Sequence, residues 1–204
     1  MIIKIYEENP AQRHILHAVD VLNRGGLVIF PTDTIYGLGC SIRHIRSLEK
    51  IARIKGISKK ETNYSIIFNN LSMLAEFTRP LPNEIFRLMK RNLPGPFTFI
   101  LEANNQVPKI FQSRMKTIGI RIPENRIITT IVEELGHPVL TTSIRDEDEV
   151  VEYTTDPELI YEKYGDSVDL VIDGGFGDNE ASTIVDCTSG VPEIIRQGKG
   201  ILEE

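Results

Sequence analysis

Apolar residues recur along the chain in two patterns, one typical of helices and one typical of buried strands. Spacings of three and four residues predict amphipathic helices that begin near Asn9, Ile45, Ile85, Asn125 and Asp156. Short, almost continuously apolar runs predict strands that are buried on both faces. These runs lie at residues 27–30, 65–68, 97–101, 117–122, 139–144, 168–173, 183–187 and 193–196.

Residues at the ends of the helical segments support their placement. Asn9 and Pro10 predict an N-cap followed by proline at the first helical position. Asn125 and Asp156 are also typical N-caps, and Gly136 is a typical residue for the end of the helix that Asn125 begins.

Helices interleaved with apolar strands favour an α/β fold, in which helices cover the faces of a twisted sheet. The closely spaced last strands indicate that part of this sheet is antiparallel, so a mixed sheet is expected. We find no internal repeat, low-complexity tract or linker. Residues 1–204 are therefore predicted to form a single domain.

Composition narrows the classes of function. The chain has 23 Lys and Arg against 29 Asp and Glu, a net charge of −6, and 41% hydrophobic residues. This acidic balance argues against general coating of nucleic acid, although a local basic groove is compatible with it. Neither a membrane-length apolar run nor a secretory signal is visible, which favours a cytoplasmic protein with no membrane partner. Two cysteines are too few for a disulfide framework or a cysteine-rich metal site.

The first candidate for chemistry follows the strand at 27–30 and reads PTDTIYGLG, residues 31–39. Two threonine hydroxyls, the Asp33 carboxylate and the Tyr36 phenol would lie in a turn at a strand's carboxyl end, where ligands of open α/β sheets bind. Gly37 and Gly39 would allow backbone geometry closed to other residues. The alternative is a polar turn that only caps the next element.

Cations supply two further candidates. Lys55, Lys59 and Lys60 follow the second helix, although favourable charge at its C-terminus and ordinary solvation are the better explanation for these lysines taken alone. Arginines also follow apolar strands, where a rigid backbone would hold each planar guanidinium in position to make two hydrogen bonds to a phosphate or carboxylate. Surface ion pairs are the competing explanation for these arginines, which are Arg121, Arg145 and Arg196.

Other sites have no support in the sequence. The glycine-rich segment at 174–177 does not match a P-loop, the histidines lack metal-ligand spacing, and no G-x-S-x-G motif of a serine hydrolase occurs. The residues alone therefore indicate an α/β protein with an anion pocket.

The order of motifs resembles the YrdC-like family from about residue 10 to residue 200. After PTDTIYGLG come NLPGPFTFIL, IGIRIP, TTSIR, STIVD and IIRQG, in that order. The resemblance implies an open, twisted mixed sheet around a basic cavity. It also implies L-threonylcarbamoyladenylate synthase activity, a nucleotidyltransferase reaction that joins L-threonine, bicarbonate and ATP and releases pyrophosphate. Partner proteins of such enzymes then transfer the threonylcarbamoyl group to an adenosine of tRNA, the t6A modification.

The resemblance also implies roles for individual residues. Threonine would be bound by Thr34, Arg121 and Ser182. The nucleotide would be bound by Lys55, Lys59, Asn63, Ser143, Arg145 and Arg196. The chemistry needs no enzyme nucleophile, so no catalytic residue is assigned. Mg²⁺ is expected to bridge the phosphates of ATP without a dedicated carboxylate cage.

Departures from the synthase motifs resemble the YciO branch of the family. A K-x-R motif here reads Lys55-Gly56-Ile57, and an S-A-N motif reads Ser143-Ile144-Arg145. Loss of an arginine fork and an asparagine amide would weaken triphosphate binding, because lysine does not replace arginine at a bidentate site. Two alternatives therefore stay open. One is a non-catalytic module that binds double-stranded RNA or tRNA, and the other is an enzyme for another adenylate or phosphate substrate.

Overall fold

The computed structural model describes residues 1–56, 64–108, 116–144 and 154–203. Within these ranges, the helices are α1 (Gln12–Asn23), α2 (Ser47–Lys55), α3 (Leu71–Ala75), α4 (Asn83–Asn92), α5 (Arg126–Leu135) and α6 (Pro157–Tyr164). The strands are β1 (Ile2–Lys4), β2 (Val28–Phe30), β3 (Gly37–Ser41), β4 (Ser65–Ile67), β5 (Phe97–Glu102), β6 (Thr117–Arg121), β7 (Val139–Ser143), β8 (Leu170–Asp173), β9 (Thr183–Asp186) and β10 (Glu193–Arg196).

The described strands form one sheet in the order β1-β8-β2-β3-β7-β4-β6-β5-β9-β10. Pairs β1–β8, β2–β8, β4–β6 and β5–β9 are parallel. Pairs β2–β3, β3–β7, β4–β7, β5–β6 and β9–β10 are antiparallel. The mixed α/β sheet predicted from the sequence is thus confirmed, including antiparallel pairing of the last two strands.

Apolar side chains on both faces hold the helices to the sheet. Val28 and Phe30 of β2 point to the face that α1 and α5 cover, and they share a core with Leu22 and Ile131. Ile29 points to the opposite face because successive side chains of a strand alternate. There it joins a larger core with residues of the other helices, namely Leu48 and Ile51 of α2, Leu74 of α3, Ile85, Leu88 and Met89 of α4, and Ile160 of α6.

Two of the predicted helix starts are confirmed by their hydrogen bonds. The N–H of Ile128 donates to Asn125 Oδ1 (3.2 Å), and the N–H of Glu158 donates to Asp156 Oδ1 (2.9 Å). Gly136 ends α5 in the left-handed conformation with φ of 70°. Each cap satisfies a backbone group that the helix itself leaves without a partner.

The predicted start of the first helix is wrong. Helix α1 begins at Gln12 with Ala11 as its N-cap, and no side chain caps it. The N–H of Asn9 instead donates to the carbonyl of Tyr6 (3.3 Å), so Asn9 and Pro10 belong to the turn that follows β1. Ile45 also precedes its helix rather than lying in it, because α2 begins at Ser47.

The expectation that Gly37 and Gly39 provide backbone geometry closed to other residues is also wrong, since both belong to β3. Neither has a positive φ. Their role is close approach: a Cβ on Gly37 would lie 2.8 Å from the Phe30 ring and 2.7 Å from Thr141 Oγ1. Glycine here lets the ring of Phe30 pack directly against the backbone of β3.

None of the helices in the described part of the chain is both long and apolar enough to cross a membrane.

Candidate functional site

Polar side chains line the part of the sheet that faces away from the larger core. In β5 and β6, Phe99 and Ile120 point into that core, so Thr98 and Arg121 point to the other face. Thr98 Oγ1 lies 2.8 Å from Ser182 Oγ, and all three polar side chains belong to buried residues. This hydroxyl-rich surface, with Arg121 beside it, is the candidate site.

Arg121 and Asp33 form a buried ion pair at this surface. Arg121 Nη2 lies 2.5 Å from Asp33 Oδ1, and the two side chains are only 9% and 8% exposed. The second carboxylate oxygen of Asp33 accepts a hydrogen bond from the N–H of Glu124 (3.0 Å). Arg121 Nε is buried and has no hydrogen-bond partner among the described residues. A buried donor without a partner is costly, and a bound anion would satisfy it.

A second arginine lies close to this pair. Arg196 Nη2 donates to the carbonyl of Ser182 (2.7 Å), which places its guanidinium beside the Ser182 hydroxyl. The pKa of Arg121 is lowered, first by burial and further by the charge of Arg196, whereas Asp33 acts to raise it. The two guanidinium groups are therefore near enough to interact, and both carry positive charge toward the same part of the site.

Thr34 lies next to Asp33 in a turn that is held tightly by hydrogen bonds. Its N–H donates to Thr32 Oγ1 (3.0 Å), and the Thr32 hydroxyl donates to the carbonyl of Ile35 (2.8 Å). The carbonyl of Thr34 accepts from the N–H of Asp178 (3.2 Å). Because Asp33 also pairs with Arg121, the structure brings Thr34, Arg121, Ser182 and Arg196 together.

The phenol of Tyr36 serves the scaffold. Its hydroxyl donates to the carbonyl of Gly175 (2.7 Å) and accepts from the N–H of Gly174 (3.1 Å). Burial is the main cause that raises the pKa of Tyr36 above its ordinary value, so the phenol stays neutral. Tyr36 thus ties the turn that holds Asp33 to the loop after β8.

Lys55 and Ser143 form a separate pair at the end of β7. Lys55 Nζ donates to the carbonyl of Ser143 (3.3 Å). Ser143 pairs with Gly37 across β3 and β7, three residues beyond Thr34. The other nucleotide ligands expected from the sequence lie outside the described residues. They are Lys59, Asn63 and Arg145.

Lys199 is a site residue that the sequence did not single out. Its Nζ donates to the carbonyl of Asp33 (2.8 Å) and lies 2.8 Å from Asp178 Oδ2. A lysine in a loop beyond the last strand resembles ordinary solvated charge. One feature of the sequence does point to Lys199 as a candidate: it lies between two glycines, three residues after Arg196, which is itself a candidate cation.

A cleft of about 470 Å³ opens beside the ion pair, between the turn that holds Asp33 and the loop after β8. Its lining includes Asp33, Thr155, Phe176, Asp178, Asn179 and Lys199. The volume lies in the range of about 300–1,000 Å³ that is typical of small-molecule sites.

The ion pair between Lys199 and Asp178 is expected to make stability depend on pH. The hydrogen bond from Lys199 is the main cause that lowers the pKa of Asp178 below its ordinary value. A lowered pKa contributes stability above the unfolded-state pKa of about 3.9, and that contribution is lost as pH falls through the folded-state pKa. The pair is about one-third exposed, so we expect Lys199→Met to cost at most about 1 kcal/mol at neutral pH.

Thermal unfolding followed by circular dichroism tests this expectation. The difference in Tm between the wild type and Lys199→Met should shrink as pH falls from about 5 toward about 2. Lys90→Met, which removes an exposed lysine of α4, is the control and should show no such convergence. A constant Tm difference over this range would contradict the role given to Asp178.

Within the described ranges, no group of three or more His, Cys, Asp or Glu side chains is placed to hold a metal ion. The site is instead rich in hydroxyls and guanidinium groups, which are ligands for anions.

Comparison with known proteins identifies the family. The family model for Sua5, YciO and YrdC proteins, described as telomere recombination, matches residues 20–198. The chain belongs to the Sua5/YciO/YrdC family. Among the members of this family is the uncharacterized protein YciO of Escherichia coli K12, which is 38% identical over 198 residues, or 96% of this chain and 94% of YciO. The crystal structure of E. coli YciO superposes with a TM-score of 0.90 at 36% identity and covers 98% of this chain and 97% of that one.

Other members of the Sua5/YciO/YrdC family carry an assigned activity. The threonylcarbamoyl-AMP synthase of Pyrococcus abyssi is 30% identical over 192 residues, which are 92% of this chain and 54% of that protein. The crystal structure of P. abyssi Sua5 complexed with L-threonine has a TM-score of 0.88 at 27% identity, and covers 97% of this chain and 57% of that one. The chain thus spans little more than half the length of these two relatives.

Proposed function

We propose that this protein is an L-threonylcarbamoyladenylate synthase-type nucleotidyltransferase that joins L-threonine, bicarbonate and ATP and releases pyrophosphate. The observation that carries the proposal is the buried guanidinium of Arg121, whose Nε has no hydrogen-bond partner among the described residues. Arg196 and the Ser182 hydroxyl lie beside it, so the site suits a small anion. The relative crystallised with L-threonine supports the carboxylate of threonine as that anionic group.

In this proposal Arg121 binds the carboxylate of threonine. Its guanidinium is fixed by Asp33 through Nη2, and the remaining donors can approach two carboxylate oxygens with little loss of side-chain entropy. Ser182 and Thr34 flank the position and offer hydroxyls to the polar groups of threonine. A preformed pocket of this kind orients the amine of threonine toward the bicarbonate.

The reaction then proceeds without an enzyme nucleophile. The amine of threonine attacks bicarbonate, and a carbamate forms as water leaves. A carbamate oxygen next attacks the α-phosphorus of ATP, and the bond from that phosphorus to the pyrophosphate oxygen breaks. The protein contributes by holding the reactants in line and by neutralising charge on the phosphates. We assign the neutralising role to Arg196 and Lys55. The proposal also includes the other nucleotide ligands expected from the sequence, which are Ser143, Lys59, Asn63 and Arg145.

Mg²⁺ would enter the site on the phosphates of ATP, because it prefers few protein carboxylates and keeps several water or phosphate ligands. The threonylcarbamoyl-AMP product would pass to partner proteins that modify tRNA.

Pyrophosphate release tests the proposal directly. With ATP, Mg²⁺ and saturating bicarbonate, release should depend on L-threonine and give one threonylcarbamoyl-AMP for each pyrophosphate. No threonine-dependent release at high enzyme concentration would contradict the proposal. If such a chain instead bound double-stranded RNA or tRNA, with affinity that falls steeply with salt, the non-catalytic alternative would replace it.

Arg196→Ala is expected to weaken ATP binding about tenfold, the loss typical of one charge-assisted hydrogen bond. The melting temperature should change little, because β10 is exposed along its length. Isothermal titration calorimetry with and without threonine measures the first effect, and thermal unfolding measures the second. Arg87→Ala removes an exposed arginine of α4 and is the matched control. A large fall in melting temperature for Arg196→Ala alone would assign this residue to the scaffold.

A further inference from the structure

Thr98 and Ser182 form a pair of buried hydroxyls in the candidate site. Their side-chain oxygens lie 2.8 Å apart, and the two residues are only 6% and 7% exposed. The proposed function uses the hydroxyl of Ser182 and leaves Thr98 without a role. A polar side chain on a buried sheet face is costly unless its hydrogen-bonding groups have partners, so the partners of this pair show what Thr98 does.

The two hydroxyls carry two hydrogens, and the bond between them uses only one. Within the described part of the chain, Thr98 Oγ1 makes a hydrogen bond to Ser182 and to no other residue. Ser182 Oγ has one further neighbour, Arg196 Nη2 at 3.5 Å, and this nitrogen can only donate. One hydroxyl hydrogen of the pair therefore has no acceptor until a ligand supplies one.

Arg196 determines which hydroxyl keeps that hydrogen. Its Nη2 donates to the carbonyl of Ser182 (2.7 Å), so its charge attracts an anion to Ser182. A carboxylate accepts hydrogen bonds and donates none, and the Ser182 hydroxyl must therefore donate to it. Thr98 then donates to Ser182, and both lone pairs of Ser182 Oγ face donors, one from Thr98 and one from Arg196.

Packing against the neighbouring strand fixes the orientation of Thr98. A Cβ on Gly119 of β6 would lie 3.1 Å from Thr98 Cγ2, so the methyl group of Thr98 packs closely over this glycine. Threonine is branched at Cβ and has few accessible values of χ1, and with its methyl group held there its hydroxyl is directed at Ser182. Ser182 precedes β9, and its unbranched side chain lacks this restriction.

We propose that Thr98 is a positioning residue that holds the hydroxyl of Ser182 as a hydrogen-bond donor toward the carboxylate of L-threonine. The inference rests on the proposed function for the identity of this ligand. Thr98 does not contact the ligand in this arrangement, so its whole effect passes through Ser182. The arrangement also selects the group that is bound, because Ser182 Oγ has no lone pair left to accept from the amino group of threonine.

A double-mutant cycle tests whether Thr98 acts through Ser182. Isothermal titration of the full chain with L-threonine should show about tenfold weaker binding for Ser182→Ala, which removes a hydrogen bond to a charged group. Thr98→Val should weaken binding about fivefold, and Thr98→Ser, which keeps the hydroxyl, should restore most of the affinity. In the Ser182→Ala background, Thr98→Val should cause no further loss.

Steady-state pyrophosphate release and thermal unfolding separate this role from a structural one. Thr98→Val should raise the KM for threonine and leave kcat close to that of the wild type, because only binding of threonine is weakened. Its Tm should fall by no more than about 4 °C. Thr78→Val is the matched control. It also removes a buried threonine hydroxyl, which donates to the carbonyl of Leu74 (3.4 Å), and it should leave threonine affinity unchanged.

Losses that add in the double variant would overturn the inference, because Thr98 would then act independently of Ser182. Unchanged threonine affinity of Thr98→Val would also overturn it, as would failure of Thr98→Ser to restore binding or a lack of threonine binding by the wild type. If threonine-dependent pyrophosphate release persists while Thr98→Val binds threonine normally, the proposed function stands without this role for Thr98. If the coupled pair governs threonine binding but the wild type releases no pyrophosphate, the proposed function fails and the inference stands.

Discussion

Arg121→Met is expected to lower the free energy of unfolding by about 3–5 kcal/mol and to abolish threonine-dependent pyrophosphate release. The substitution leaves the carboxylate of Asp33 buried without its cation, and only 8% of that side chain is exposed. An unpaired buried charge is far more costly than the loss of an exposed pair. Urea unfolding followed by fluorescence or circular dichroism gives the free energy, and the pyrophosphate assay gives the activity.

Arg79→Met is the matched control for the ion pair. Arg79 and Glu102 also form a pair, at 3.2 Å, but their side chains are 60% and 49% exposed. Its loss should cost at most about 1 kcal/mol and leave activity unchanged. Similar costs for Arg79→Met and Arg121→Met would contradict the account of the buried pair.

A double variant separates stability from ligand binding. Asp33→Asn combined with Arg121→Met removes both charges, so much of the lost stability should return. Activity should stay absent, because the proposed ligand of the threonine carboxylate is still missing. Recovery of activity together with stability would show that Arg121 serves the scaffold only.

Gly39→Ala is expected to cost about 2–3 kcal/mol through overpacking. The new Cβ would lie 2.6 Å from the carbonyl oxygen of Leu140 and 2.9 Å from Phe30 Cε1. The carbonyl belongs to β7, which pairs with β3 along its whole length, so it cannot withdraw without loss of strand pairing. The steric overlap must therefore be removed by movement of the fully buried ring of Phe30, and that movement disturbs the core between β2 and α1.

Urea unfolding of Gly39→Ala beside Gly190→Ala measures this effect. Gly190 has φ of +84°, and no atom lies within 4 Å of the position that a Cβ would take, so its substitution carries backbone strain of about 1 kcal/mol without overlap. The loss should therefore be clearly larger for Gly39→Ala. Equal decreases in the free energy of unfolding for the two variants would contradict this account. They would mean that β3 and β7 can separate slightly without much loss of stability, although the two strands pair along their whole length.

Local signals predicted most of the elements, and the exceptions have physical reasons. The caps of α5 and α6 depend on residues within three positions of each other, so the sequence displays them directly. Strand β3 reads GLGCS, whose glycines have low strand propensity, and it forms because β2 and β7 pair with it on both sides. Strand β1 has three residues, too few for an alternation to be visible.

The sequence singles out candidate residues that the structure places near one another, but it does not predict the contacts between them. Thr34, Arg121, Ser182 and Arg196 were singled out from motifs and from positions at strand ends. The partner of Arg121 was not, because Asp33 lies 88 residues away and the two meet only through the order of the strands. Lys199 was missed for the same reason, since its partners Asp33 and Asp178 come from other segments.

The ion pair of Asp33 and Arg121 also links two segments that lie far apart in the strand order. Arg121 is the last residue of β6, and Asp33 lies three residues beyond the end of β2, with β3, β7 and β4 between these two strands. The pair therefore fixes the turn after β2 relative to the end of β6. Because both side chains are buried, dissolved salt should screen this link far less than it screens an exposed ion pair.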